Sequence, residues 1–404
     1  MVGIYRDLGR SPGVYRILLA QLTARFPFGM LTIILLLHVQ LVYGNYTSAG
    51  VILAGLSIGQ AVSGPLASRL MGRLGMRRVL TLTTLVSSGL LVLIALTQFP
   101  LVAVAVIALL VGLTTPPVMP AVRTIYPTLV PARQVTALFS LDATTQEIIW
   151  IVGPVIAVFV SVQISTVWGL LVAAAFLFGG GLWFILSPEV GRVNLPRARN
   201  RLGAVLRRPT VLVSTIVGFF FVASFTSLEA GIVAVFGHDG IESGIVLAVF
   251  SIGSVVGGLT IGHRDIRPWS LVVRSAVVTL GTALCIFSQD TLWLCIMGFL
   301  AGLGVAPMLA ALFTIVSATV RFSETAEAYG WLGTGQLVGA AGGSAAAGVA
   351  IDAMGAVGGI VVSVLFLIST VVSAAISAPW VPDLRGRDAS PIPDTEPISV
   401  PKHP

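Results

Sequence analysis

Long stretches without charged residues dominate the chain. Residues 26–68, 79–122 and 148–188 contain no Asp, Glu, Lys or Arg. A membrane-spanning helix needs about 20 apolar residues, so each of these runs holds about two helices or the greater part of two. The runs are apolar all round and do not alternate with polar residues, which argues against β-barrel strands. Shorter uncharged runs, of about one helix each, follow at 209–228, 243–263, 275–289, 291–320, 328–351 and 353–382.

This pattern predicts twelve spanning helices and hence an all-α polytopic membrane protein. The first helix follows Arg6, Arg10 and Arg16 and is too long for a signal-peptide core, so we expect it to be retained. We place the helices at about 15–40, 47–68, 79–98, 101–122, 134–160, 166–187, 210–236, 243–262, 270–288, 292–316, 327–351 and 357–378.

The composition agrees with a membrane location. Charged residues make up 10% of the 404 residues and hydrophobic residues 56%, whereas soluble domains carry about 25% charged residues. A soluble enzyme, a nucleic-acid-binding module and a disordered chain are therefore excluded. The net charge of +7 is assigned to loops at the surface of a lipid bilayer, with no nucleic-acid partner.

The basic residues lie on one side of a twelve-helix arrangement. Of the 23 Lys and Arg residues, all but Arg25 lie in or beside the loops of that side, with Arg123 and Arg133 assigned to the 4–5 loop. The loops of the other side carry acids, such as Asp239 and Asp290. Because basic loops stay in the cytoplasm, we predict a multi-pass plasma-membrane protein with both termini cytoplasmic.

The two halves of the chain repeat each other. Residues 50–64 match 244–258 with 8 identities in 15 at an offset of 194, and residues 110–121 match 300–311 with 5 in 12 at an offset of 190. Paired helices run in the same direction, which predicts two pseudo-symmetric six-helix bundles. The predicted parts are bundles at 1–187 and 210–378, an Arg-rich cytoplasmic linker at 188–209 and a proline-rich tail at 379–404 that we expect to be disordered.

Twelve spans, two parallel halves and a basic central loop resemble the major facilitator superfamily. Its signature in the 2–3 loop has the form G-x-L-a-D-R-x-G-R-R, and here Leu70, Arg73, Gly75 and Arg77 fit it. The departures are Gly72, which stands where the Asp is expected, and a Met in place of an Arg. In the family that Asp helps to hold the cytoplasmic gate closed. The resemblance therefore implies that another acid or a helix end must take Arg73 or Arg77.

Helix 5 carries a second partial signature, Gly153-Pro154. Exporters of the family, drug/proton antiporters in particular, have a Gly-Pro there with further flanking glycines, which this chain lacks. Gly and Pro permit close helix approach and a bend, as a rocking interface needs. The dipeptide favours export, and an ordinary proline kink is the alternative.

Intramembrane charges are the main candidates for function. Arg25 in helix 1 and Glu147 in helix 5 lie at similar depth, and Asp142 is about a turn and a half shallower. We predict that Arg25 pairs with Glu147 or Asp142, either as a structural ion pair or as part of a substrate or proton site. Glu229 in helix 7 has no basic residue in its own helix. It is the first candidate for the carboxyl group that couples transport to protons, with Glu147 second, and a residue of the external vestibule is the alternative.

The resemblance also implies that helices 1, 4, 7 and 10 line a central cavity. The candidate residues that line this cavity are Gln21, Arg25, Phe28, Thr114, Met119, Phe225, Glu229 and Met308, with Glu147, Trp331 and Gln336 from helices 5 and 11.

Other chemistry has no signal in the sequence. Four His and two Cys give no metal-ligand spacing, and no nucleotide-binding loop is present. We expect no cofactor and no enzymatic activity. We interpret the two Cys as small apolar residues rather than as a disulfide.

The sequence therefore predicts a monomeric secondary transporter that works by alternating access around a midplane site. Proton-coupled efflux of a small organic or drug-like compound is the first hypothesis. Uptake or facilitated diffusion of a small metabolite such as a sugar is the first alternative. A non-transporting membrane receptor or scaffold is the second, although it would not need ionisable groups at mid-depth in both halves.

Overall fold

Twelve helices long and apolar enough to cross a membrane make up the fold. The computed structural model describes residues 6–8, 10–44, 46–193, 195–196, 201–236 and 241–394. Within these residues the helices are α1 (Val14–Tyr43), α2 (Ser48–Leu74), α3 (Met76–Leu96), α4 (Leu101–Leu129), α5 (Ala132–Gln163), α6 (Thr166–Leu186), α7 (Pro209–Phe236), α8 (Glu242–Ile261), α9 (Ser270–Phe287), α10 (Thr291–Thr319), α11 (Phe322–Met354) and α12 (Val357–Trp380).

The twelve-helix prediction is confirmed, and the largest differences are at two helix ends. Helices α2 and α4 continue past their predicted ends to Leu74 and Leu129. Both extensions contain arginines, so the first charged residue after an apolar run is not where these helices end. The parts of the predicted linker that the structure describes include a short helix at Pro188–Arg192 and a 3-10 turn at Ala204–Arg207.

Three of the helices that we expected to line a cavity are interrupted near the middle. Helix α1 contains a 3-10 turn at Phe26–Gly29. Helix α4 breaks between Leu113 and Val118, where consecutive prolines cannot donate backbone hydrogen bonds. Helix α10 breaks between Gly302 and Val305. The breaks in α4 and α10 fall in the matched segments of the sequence repeat, so the two helices share the same interruption.

The repeat is also visible in how helices cross. A Cβ atom at Gly59 of α2 would lie 2.8 Å from Gly112 Cα of α4, closer than real Cβ contacts allow. A Cβ at Gly253 of α8 would lie 3.2 Å from Gly302 Cα of α10. Each half therefore contains the same close crossing of its second and fourth helices. The parallel repeat predicted from sequence matches the packing.

The halves meet on the side of the membrane that carries the Arg-rich loops, which we call the basic side. The Ser140 hydroxyl of α5 donates to the Gly258 carbonyl oxygen of α8 at 2.6 Å. On the other flank, a Cβ at Gly330 of α11 would lie 2.7 Å from the Gly64 carbonyl oxygen of α2. Ser140 and Gly330 are 190 residues apart, and Gly64 and Gly258 are 194 apart. The two contacts are thus equivalent under the repeat and close the basic side symmetrically.

The segment after α12 packs against the basic side. The Leu384 N–H donates to the Ile266 carbonyl oxygen at 2.9 Å, and Ile392 pairs with the α10–α11 loop through backbone hydrogen bonds of 2.9 and 3.0 Å. The apolar side chain of Leu384 is buried. The expected disorder is therefore wrong for residues 379–394, because burial and backbone pairing outweigh the high proline content. Residues 395–404 lie outside the described chain.

Candidate functional site

A buried polar cluster surrounds the carboxylate of Asp142 on α5. Its Oδ1 accepts hydrogen bonds from Tyr126 Oη at 2.9 Å and from Gln21 Nε2 at 3.2 Å. Two guanidinium groups complete the cluster. Arg25 Nη1 lies 3.6 Å from Oδ1, and Arg123 Nε lies 3.5 Å from Oδ2. One carboxylate therefore sits between two arginines, and the charges of these three groups sum to +1.

Arg25 is held by polar groups of two helices. Its Nη1 donates to Gln21 Oε1 one turn earlier on α1 at 2.8 Å, and its Nη2 donates to Gln146 Oε1 of α5 at 2.7 Å. Of the two expected ion-pair partners, the structure selects Asp142; Glu147 lies elsewhere. Arg25 thus shares the carboxylate of Asp142 with Arg123 inside the N-terminal half, and the two glutamines fix its orientation.

Arg123 lies inside α4 with a fully buried side chain, whereas the sequence pattern predicts it in the 4–5 loop. Its guanidinium carbon lies 3.3 Å from the ring centroid of Phe313 on α10, a cation–π contact between the two halves. Both of its Nη atoms are buried and have no hydrogen-bond partner among the residues that the structure describes. The available signal was the run of prolines before it, which made the end of α4 ambiguous.

The surroundings of Arg123 lie on the pseudo-symmetry axis. Arg123 and Phe313 are 190 residues apart, as are Phe139 and Tyr329. Residues that are equivalent under the repeat and contact each other must lie near the axis that relates the halves. The Phe139 ring centroid lies 6.2 Å from that of Tyr329 and 6.3 Å from that of Phe313. These four side chains, which we call the axial layer, fill the space between the halves on the basic side.

Glu147 connects the halves nearer the middle of the membrane. The Ser254 hydroxyl of α8 donates to Glu147 Oε1 at 2.7 Å, and both side chains are buried. Among the described residues no cationic group lies within 4.0 Å of Glu147. Glu147 is therefore a carboxyl group at the interface with a hydroxyl partner and no balancing charge.

Glu229 has different surroundings. It lies on α7 one turn beyond Phe225, toward the side opposite the basic side, and it is exposed. In the described part of the chain its side chain has no ion-pair partner. Phe225 below it packs edge-on against Phe221 and Phe250, with ring centroids 4.8 and 5.8 Å away. This geometry suits a group in an open vestibule better than one in the buried cluster.

The remaining candidate lining residues are spread through the fold. Met119 of α4 faces α11: the Cε atom of Met119 lies 3.5 Å from the position that a Cβ at Gly333 would take. Trp331 lies beside Gly203 of the linker, 3.7 Å from the position of a Cβ there, and therefore sits at the basic side rather than around a central site. Phe28 and Thr114 are half-buried beside helix interruptions, Met308 is buried, and Gln336 packs against Gly218 of α7.

A buried ion pair joins the halves where the family signature lies. Arg69 Nη1 of α2 is 3.2 Å from Glu327 Oε2 of α11. The other carboxylate oxygen of Glu327 accepts the backbone N–H of Gly203 in the linker at 2.7 Å. Gly72 lines a small cavity beside this pair. Sequence reasoning missed Arg69 and Glu327, because nothing local marks residues so distant in sequence as partners.

The signature residues themselves occupy three different positions. Arg77 Nη2 donates to the Ser187 carbonyl oxygen at the end of α6, at 3.3 Å, so a helix end takes this arginine. Arg73 is exposed. Gly75 adopts a φ of 92° in the turn between α2 and α3, a conformation that side chains other than glycine rarely adopt.

Gly153 and Pro154 lie within one half rather than between the halves. A Cβ at Gly153 would lie 3.0 Å from the backbone of Gly29, in the 3-10 turn of α1. Pro154 lies inside α5, which is continuous as far as Gln163. The dipeptide therefore permits close packing of α1 on α5, and the interface that we expected it to form is made by other residues.

Helices in two repeated halves, closed on one side around buried charges, define a polytopic membrane transporter. The model of the Major Facilitator Superfamily matches residues 17–264 and 226–402 of the chain. The protein therefore belongs to the major facilitator superfamily, whose members are membrane transporters.

Solved structures show the same fold at low sequence identity. The human organic anion transporter MFSD10 (TETRAN) is 15% identical, with a TM-score of 0.68 over 89% of this chain and 98% of that one. A bacterial homologue of the iron transporter ferroportin in an outward-facing state is 12% identical, with a TM-score of 0.71 over 91% and 98%. No curated protein sequence matches the chain.

Proposed function

We propose that the protein exports a small organic compound in exchange for protons, and that Glu147 carries the coupling proton. The observation that supports this is the hydrogen bond between Glu147 and Ser254, which joins the halves at a carboxyl group without a cation. By the positive-inside rule the basic side faces the cytoplasm. The protein then works as a monomer in the plasma membrane, with both termini cytoplasmic.

The coupling follows from the cost of burying charge. A carboxylate without a cation is strongly disfavoured in a dry interior, so closure of the basic side favours a protonated Glu147. When the halves part on that side, Ser254 moves away and water reaches Glu147, which then releases its proton. The basic side closes again with the solute bound, and Glu147 regains a proton from the opposite side once that side has opened and the solute leaves. Each cycle therefore moves a proton toward the basic side while the solute moves out.

Glu229 has a supporting role in this proposal. It lies on the opposite side of the membrane middle and is exposed there, so it can take up protons from the outside solution. It bonds to no residue of the other half in the part of the chain described, so its protonation is not tied to closure. We therefore rank Glu147 above Glu229, the reverse of the order that the sequence favoured.

The test is transport in proteoliposomes with an imposed pH difference, using carboxyfluorescein and ethidium as anionic and cationic probes. Glu147→Gln mimics the protonated carboxyl, so it should still exchange dye between the two sides but should lose pH-driven accumulation. Glu242→Gln, at the outer end of α8, is the matched control and should accumulate dye like the wild type. If Glu147→Gln still accumulates dye against the dye gradient, Glu147 does not carry the coupling proton. If only Glu229→Gln loses pH-driven dye accumulation, Glu229 carries it instead.

A further inference from the structure

The polar cluster holds more positive charge than its own carboxylate neutralises. Arg25 and Arg123 share Asp142, and within the described residues no second carboxylate lies within 4.0 Å of either arginine. Glu147 is bonded to Ser254 instead. A net buried cation is costly in a membrane protein unless it faces water or a ligand during function.

The excess charge is localised on the edge of Arg123. Its face lies on the Phe313 ring and its Nε points toward Asp142, but both Nη atoms are buried with no acceptor in the described part of the chain. A cation–π contact uses the face of a guanidinium and leaves the N–H groups on its edge unsatisfied. Parallel N–H groups on that edge match the two oxygens of a carboxylate.

Arg123 also lies on the route between the halves. It is part of the axial layer, and its partner Phe313 belongs to the other half. When the basic side opens, the two must separate, and the edge of the guanidinium then faces the solution on that side. The rings of Phe139, Phe313 and Tyr329 surround the same position with apolar surface.

We propose that Arg123 binds the carboxylate of a small organic acid that enters from the basic side, with the aromatic rings of the axial layer contacting its apolar part. This inference rests on the proposed alternating access but not on which group carries the proton. The solute then supplies the negative charge that the cluster lacks. A cationic solute would instead meet an uncompensated arginine and be rejected.

The substitution Arg123→Gln suits a test, because it leaves Arg25 and Asp142 as a balanced pair. Removing the unsatisfied charge should leave the protein folded, and its Tm without ligand should not fall by more than a few degrees. Arg123→Lys keeps the charge but loses the fork of N–H donors, so it should bind a carboxylate more weakly than the wild type. Arg133→Gln removes an exposed arginine at the start of α5 and serves as the matched control.

The measurement is the Tm of the purified full-length protein with benzoate and 2-naphthoate, and with their uncharged amides, at about 10 mM each. A ligand at ten times a Kd of about 1 mM should raise the Tm by a few degrees. We expect the carboxylates to raise the Tm of the wild type and of Arg133→Gln, and the amides to leave it unchanged. Arg123→Gln should lose the carboxylate effect, and Arg123→Lys should retain part of it.

Three results would overturn the inference: no shift with either carboxylate, equal shifts with the amides, or an undiminished carboxylate shift in Arg123→Gln. If Arg123→Gln fails to fold, the comparison of Arg123→Lys with the wild type decides. An unchanged shift in Arg123→Lys then counts against bidentate binding. These are equilibrium measurements without a pH gradient, so their outcome is independent of whether Glu147 couples transport to protons.

Discussion

The ion pair between Arg69 and Glu327 should control how often the basic side opens. The pair joins α2 of one half to α11 of the other, and the side chains of its two residues are only 10% and 5% exposed. In Glu327→Gln the amide retains an acceptor for the Gly203 N–H but loses the charge. Arg69 then loses the charge of Glu327 while it is still buried in the closed state, whereas in the open state water solvates it. The substitution therefore destabilises the closed state selectively.

The size of the effect follows from the geometry. At 3.2 Å and an effective dielectric constant of about 20, the attraction between the charges is about 5 kcal/mol before desolvation. Removing one partner of a buried pair costs about 3–5 kcal/mol, and the retained amide acceptor reduces that figure. We expect about 2–3 kcal/mol, which lowers the ratio of closed to open molecules by about 30- to 150-fold.

Spin-label distance measurements across the basic side test this shift. Leu74 at the end of α2 and Trp269 in the α8–α9 loop are exposed and belong to different halves. Cysteine labels at these positions, with the free thiols Cys285 and Cys295 replaced by serine, report the separation. Glu327→Gln should add a population at longer distance.

Glu242→Gln in the same labelled background is the control, because Glu242 lies at the outer end of α8, away from the closed interface. It should give the wild-type distances. If Glu327→Gln also leaves the distribution unchanged, the pair does not hold the basic side closed, and the axial layer and the backbone contacts suffice for closure.

Two further predictions concern packing and acid stability. Gly153→Ala should lower the Tm by several degrees, since its Cβ would lie 3.0 Å from the Gly29 backbone and overpacking costs about 1–3 kcal/mol; Gly89→Ala, which has open space around it, should not. Burial opposes ionisation of Glu189, but the hydrogen bond from Arg16, a backbone hydrogen bond and the charges of Arg16 and Arg192 together outweigh it and hold the Glu189 pKa below its usual 4.5. This stabilisation is therefore present above pH 4.5 and is lost as the pH falls further, so acid melting curves of Glu189→Gln should show a weaker dependence on pH in that range.

The helices and the repeat could be predicted because both are determined by local sequence patterns. Uncharged runs mark spans in any bilayer, and the matched segments share the Gly and Pro residues that shape close crossings. The same rule caused the main error. This rule ends α4 at its first charged residue, but Arg123 lies inside the helix, where Phe313 of the other half covers it. Contacts between distant segments, such as that of Arg69 with Glu327, cannot be predicted from the local sequence around either residue.

The axial layer constrains how this chain can have evolved. If the two halves descend from a duplicated gene, the ancestral copies were identical and assembled as a symmetric dimer. An arginine at the position of Arg123 would then have met its own copy on the axis, since the equivalent residue, Phe313, touches it today. Two buried cations in contact would repel each other strongly. At least one copy therefore had to lose the charge. At the positions of Arg123, Asp142 and Glu147 the charged residues now belong to one half, and the equivalent residues of the other half, Phe313, Leu332 and Leu337, are apolar.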